Sequence, residues 1–203
     1  MGSEMCIRDR PVTIKTRLGW DYNSIQIVEV AERLQDAGAK AISIHGRTRA
    51  QMYKGDADWA QIAEVKNNSR MHIPVFGNGD VNSPERAIEM RDKYGLDGAM
   101  IGRASIGNPW FFREVKHFVK HGTHAAPPSL AERAATARRH LQMSLDWKGE
   151  KLGVFETRRH YTNYFKGIPN FKAYRQRLVT EDHSADVFVV LDEIEELFGV
   201  TAL

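Results

Sequence analysis

The 203-residue sequence predicts an α/β fold, the second half of a TIM (β/α)8 barrel with four βα units, followed by a small all-α helical domain. Three observations predict it. Short apolar runs begin near residues 12, 41, 73 and 98, the spacing of parallel strands joined by crossover helices. Two of these runs open into glycine-rich turns, Gly77-Asn78-Gly79-Asp80 and Gly102-Arg103. Glycines there let backbone N–H groups approach an anion, and the last two strand ends of such a barrel are where a phosphate usually sits. After His121 the composition changes, and capped amphipathic helices take over.

Composition sets the outer bounds. No apolar run is long enough to span a bilayer, and no signal peptide is evident. A single cysteine excludes an internal disulfide framework and any multi-cysteine metal site, so no metal is expected. It also fits a reducing compartment, here the cytoplasm. The net charge of +3 is too mild to name a partner, so the placement of charge has to do so.

Met1 to Arg10 has no amphipathic period and reads as a non-native leader; Cys6 inside it has no activating His or Asp placed beside it. Pro11 to Gly19 alternates apolar and polar residues as a strand does, with Lys15 expected at its carboxyl end. A helix is expected from Ser24 to Ala37, ended by Gly38. The strand Ala41 to Ile44 opens into His45-Gly46-Arg47-Thr48-Arg49, a long loop running to Asp58-Trp59, where a third helix begins. Long ordered loops are often functional, and two arginines with Tyr53 suit an anionic, aromatic partner. The strand Ile73 to Phe76 leads to a helix capped by Ser83 with Pro84 at its first position, ending at Gly95. The strand Gly98 to Ile101 follows. Four such units leave two open sheet edges, so the chain reads as the second half of a larger protein, with the edges able to pair two copies non-natively.

The domain division expected is a leader at 1–10, a partial barrel at 11–121, a linker at 122–128 and a helical domain at 129–203. In the last, a capping box at Ser129 and Glu132 opens a helix to about Trp147, with further helices over Val154 to Phe165 and Asp186 to Phe198. Arg158 to Arg177 carries six basic residues and no Asp or Glu, interleaved with Tyr161, Tyr164, Phe165, Phe171 and Tyr174. That pattern suits a nucleic-acid backbone and unstacked bases, or a bundle core beneath a solvated basic face.

PVTIKTRLGWD, ISIHGRTRAQMYKGDADW, PVFGNGDV and DGAMIGRASIGNPWFF resemble, in order and spacing, the second half of tRNA-dihydrouridine synthases, nearest the bacterial B-type enzymes. RRHYTNYFKGIPNF is similar to that family's helical tRNA-binding domain. The resemblance implies an FMN-binding barrel that reduces uridine in tRNA to 5,6-dihydrouridine, with NADPH reducing the flavin, and a monomeric full-length protein. It implies that Lys15 and His45 contact the flavin, that Asn78, Gly79 and Asp80 lie beside the ribityl chain, and that Gly102 and Arg103 hold the phosphate. It assigns Arg47, Arg49, Arg158, Arg159, Lys166 and Arg175 to tRNA. The family's proton-donating cysteine belongs to an upstream loop, so no catalytic residue is expected in this chain, and the chain alone is expected to be inactive. Two alternatives stay open: another FMN barrel of the dihydroorotate or enoate type, and a non-catalytic RNA-binding module.

Overall fold

The computed structural model describes residues 10–199; Cys6 and nearly all of the expected leader lie outside them. Two compact units result, one running through Ala104 and resuming at Glu114–Thr123, the other comprising Ser105–Arg113 and the chain from His124 onward.

The first unit holds strands β1 (Thr13–Arg17), β2 (Ala41–His45), β3 (Val75–Asn78) and β4 (Gly98–Met100), all parallel and in chain order, with β1 and β4 at the edges. Helices α1 (Ile27–Asp36), α2 (Ala60–Asn67) and α3 (Pro84–Lys93) form the crossovers, and α4 (Phe111–His121) follows β4 in the chain. Strand alternation separates two faces. Ile42, Ile44 and Val75 are fully buried on one face, in a core with Ile27, Ala31, Ile62, Val65 and Met90 from the helices. The register aligns the other face in two rows: Lys15, Ser43, Phe76 and Gly98, then Arg17, His45, Asn78 and Met100 nearer the carboxyl ends.

Two boundaries differ from expectation. The first helix starts at Ile27 rather than Ser24, because Asp21 caps a separate 3-10 turn over Tyr22–Ser24 and the Ser24 hydroxyl is drawn back to the Asp21 N–H. The third strand is shifted toward its carboxyl end, because pairing with β4 carries it to Asn78.

In the second unit, α5 (Leu130–Tyr164) is capped by Ser129 and broken only at Gly149 (φ 74°, ψ 178°), so its halves meet there rather than leaving residues 148–153 outside a helix. Helix α6 (Lys172–Thr180), not anticipated as a separate element, and α7 (Ser184–Gly199) complete the bundle. Residues 105–113, expected to be barrel, belong to this unit. Gly107 donates to His160 Nδ1 at 3.1 Å, Asn163 Nδ2 donates to the Ile106 carbonyl at 2.9 Å, and Trp110 packs edge-on against Tyr164. The aromatics that alternated with basic residues are mostly core: Tyr161, Phe165 and Phe171 are 2% exposed or less. They are not available for base stacking.

Candidate functional site

The site of the first unit is built by the loop that follows β2. Its base is pinched shut: the Gly46 N–H donates to the Asn78 carbonyl at 3.0 Å and the Asp58 N–H donates to the Gly46 carbonyl at 2.6 Å. A Cβ on Gly46 would lie 2.6 Å from that Asp58 carbonyl oxygen, so only glycine allows the closure. Trp59, buried behind the loop, donates through Nε1 to the Gly79 carbonyl at 3.1 Å.

Arg47 folds under this loop with its side chain 3% exposed. Its Nη2 donates to both Asp80 oxygens, at 2.9 and 2.7 Å, and to the Gly55 carbonyl at 2.5 Å. The expectation that Arg47 contacts tRNA is therefore corrected: a guanidinium enclosed by its own loop and paired to a carboxylate offers nothing to an external phosphate. Asp80, at φ 55°, also accepts from the Ala57 N–H at 2.9 Å and from Arg103 Nη2 at 3.0 Å. Partial burial would raise its pKa, but the hydrogen bonds from Arg47 and Ala57 and the two guanidinium charges outweigh that and hold the carboxyl below its usual value.

His45 is buried at the end of β2. Burial, and then the charges of Arg17, Lys15 and Arg47, lower its pKa to about 4 against the opposing pull of Asp80. The ring is neutral at physiological pH. Arg47 Nη1 lies 3.3 Å from His45 Nε2, and a guanidinium can only donate, so Nε2 accepts and the ring proton resides on Nδ1. Burial and Arg17 likewise lower the pKa of Lys15, one row down the same face.

Asn78 is locked by Nδ2 donating to the Met100 carbonyl at 2.8 Å. The two glycines of interest have opposite explanations. Gly79 (φ 128°) is required by the chain's own packing, since a Cβ there would stand 2.4 Å from that of Ala57. Gly102 is exposed and an added Cβ would meet nothing within 4 Å, so internal packing does not demand glycine there. Beside it, Arg103 is exposed and its guanidinium carbon lies 4.7 Å from the Tyr53 ring centroid.

The structure thus gathers Lys15, His45, Asn78, Gly79, Asp80, Gly102 and Arg103 into one unit at the strand ends. It adds Arg17, which was not expected there, and brings in Tyr53 from the loop already marked in the sequence. Arg17 donates to the carbonyls of Thr48 and Met52 at 2.7 and 2.9 Å, and Tyr53 lies within cation–π range of both Arg17 and Arg103. The signal for Arg17 was its spacing of two from Lys15 on a strand, which puts both on one face. Arg49, exposed, lines an open depression with Lys15, Arg17 and Trp20.

In the helical unit, Arg158 is corrected as Arg47 was. Its Nη2 donates to the Glu181 carbonyl at 2.7 Å and to Asp182 at 2.6 Å, and its side chain is 17% exposed. Arg159, Lys166 and Arg175 are exposed.

A family model described as "Dihydrouridine synthase (Dus)" matches residues 7–197. "Probable tRNA-dihydrouridine synthase 1" of Synechocystis is 48% identical over 170 residues, covering 84% of this chain and 47% of that protein. "tRNA-dihydrouridine synthase B" of Pseudomonas aeruginosa is 40% identical over 167 residues, 82% of this chain and 50% of its own length. "Probable tRNA-dihydrouridine synthase" of Rickettsia conorii is 39% identical over 165 residues, 81% of this chain and 49% of its own. The chain spans about half the length of the curated relatives it matches.

Proposed function

The chain belongs to the dihydrouridine synthase family, and from that premise we propose that it is the flavin-phosphate half of an FMN-dependent enzyme that reduces uridine in tRNA to 5,6-dihydrouridine, with NADPH as reductant. The observation that carries the reading is the cationic, donor-rich row at the carboxyl ends of the strands, Arg17, His45 and Asn78, with Lys15 one row below and Gly102 and Arg103 flanking it. These residues fit FMN. Gly102 leaves open space where a side chain would otherwise stand, and Arg103 beside it carries a planar fork suited to a phosphate. The excess positive charge of the row suits an anionic ligand.

When bound, FMN supplies the hydride-transfer chemistry. This chain's residues bind and orient. Lys15 offers an ammonium, and neutral His45 offers its Nδ1–H. Asn78, held by the Met100 carbonyl, borders the same space. Following the resemblance to the family, we assign the proton for the uracil carbon to a cysteine in the part of the enzyme that this chain does not span. In the helical unit, Arg159, Lys166 and Arg175 are the surface charges we assign to tRNA, and Arg49 does the same work in the first unit. The proposed compartment is the cytoplasm; no helix among the described residues is long and apolar enough to cross a membrane. A dihydroorotate- or enoate-type barrel accounts for the strand ends but not for the family match or the basic helical surface.

The test joins this chain to the N-terminal half of the Synechocystis relative and supplies FMN, NADPH and unmodified tRNA. Mass spectrometry should find dihydrouridine with the chimera and none with the chain alone. A folded, flavin-loaded chimera that leaves tRNA unmodified would contradict the reading.

A further inference from the structure

Asp80 has little acceptor capacity to spare. Oδ1 accepts from Arg47 and Arg103 at 2.9 and 3.0 Å, and Oδ2 accepts from Arg47 and the Ala57 N–H at 2.7 and 2.9 Å. Arg47 Nη2, which also donates to the Gly55 carbonyl, bridges the two oxygens, so three donor nitrogens crowd this carboxylate and leave it little to offer a ligand hydroxyl. Direct contact between Asp80 and a ribityl chain is therefore not the role its surroundings favour.

The two arginines on this carboxylate are unlike. The Arg47 side chain is 3% exposed and that of Arg103 is 55% exposed. One carboxylate balances one guanidinium, and the buried one, which would otherwise be an unpaired interior charge, has the stronger claim. Arg103 is left with a net positive charge at the surface. Only its Nη2 is engaged by Asp80, and the Tyr53 ring lies under its plane. A guanidinium held at one nitrogen and over one face has a fixed orientation, and its other donors then point in a set direction. Asp80 itself is immobilised by Arg47 and Ala57, so the anchor is rigid.

We propose that Asp80 is a positioning residue that does not touch the ligand: it anchors Arg103, through a carboxylate fixed by buried Arg47, so that the remaining guanidinium donors meet a phosphate monoester. This rests on the reading of Arg103 as the phosphate-binding residue.

The test compares FMN with riboflavin, which lacks only the phosphate, by fluorescence titration of the 203-residue chain. Asp80→Asn should weaken FMN about tenfold and leave riboflavin unchanged, and should add nothing when Arg103→Ala is already present. Asparagine tolerates the left-handed backbone of residue 80, so the turn is not itself disturbed. Equal weakening of both ligands would make Asp80 merely structural and overturn the proposal, as would unchanged FMN affinity. A wild-type chain that binds FMN no better than riboflavin would instead overturn the phosphate role of Arg103, and this proposal with it. Should the loss of the Arg47 partner unfold the Asn variant, Arg103→Lys decides at an exposed position. Lysine keeps the charge but not the fork, so FMN affinity should fall about tenfold; wild-type affinity in that variant would overturn positioning.

Discussion

Arg47 and Arg158 lie in different units and both turn inward, but they are held in different ways. In the first unit, one partly buried carboxylate, Asp80, serves two arginines and leaves a surplus positive charge on Arg103. In the helical unit each paired arginine has its own carboxylates: Arg158 pairs with exposed Asp182, and Arg177 with half-buried Glu193 and, at 3.9 Å, with Glu181. The first arrangement leaves an exposed cation beside a buried ion pair. The second neutralises its paired arginines, while Arg159, Lys166 and Arg175 stay exposed. Whether an arginine faces a partner therefore depends on which carboxylates the fold brings to it, and on how deeply.

The largest expected effect breaks that contrast at its buried end. Asp80→Ala strands Arg47 in the interior and should cost about 3 kcal/mol of stability, read as a lowered denaturation midpoint. A loss below about 1 kcal/mol would mean that water reaches Arg47 and that the two arrangements are alike.

Acidification should weaken both units over one window. Burial lowers the pKa of His45 to about 4, helped by Arg17, Lys15 and Arg47; burial, His140 and Arg159 do the same to His160 in the helical unit. The unfolded histidines bind protons below about pH 6.5 that the folded ones refuse until about pH 4. Stability is thus fully present above the unfolded pKa and falls as pH drops through this window, by on the order of 1–2 kcal/mol per histidine. Urea titrations at pH 7 and pH 5 check this, and replacing His45 or His160 with Gln should flatten the dependence. An unchanged slope in both variants would place the titration elsewhere.

Charge removal in the helical unit separates surface from structure. Neutralising Arg159, Lys166 or Arg175 should each reduce the slope of log affinity for tRNA against log salt by about 1. Arg158→Ala should leave the slope alone and lower the melting temperature instead. The reverse pattern would return Arg158 to the RNA-facing set. The smallest effect belongs to Asp182→Ala, whose side chain is 73% exposed and whose loss should cost less than about 1 kcal/mol.

Much of the fold was legible because it rests on local signals. Alternation marked β1, and Ser83 with Pro84 marked the start of α3, where Ser83 Oγ accepts from the Arg86 N–H at 3.2 Å. Gly102 and Arg103 were legible as a strand-end pair, whereas Lys15 lies in the middle of β1 and Arg17 holds its carboxyl end. What was not legible depended on partners distant in sequence. Asp80 lies 33 positions from Arg47, and Asp182 lies 24 from Arg158, outside the window whose lack of acids suggested a free basic face. The core positions of Tyr161 and Phe165 have the same origin, since only packing against α7 distinguishes a buried aromatic from a stacking platform. Residues 105–113 carried no local sign that Asn163 and His160 would hold them.

The central claim is that the strand-end row, with Arg103 at its rim, holds a flavin phosphate. Titrating FMN with the purified chain and with its Arg103→Ala variant, following quenching of flavin fluorescence, tests it most directly. Saturable quenching by the chain that is lost in the variant is the predicted result. No quenching by the folded chain, or equal quenching by both, would contradict it.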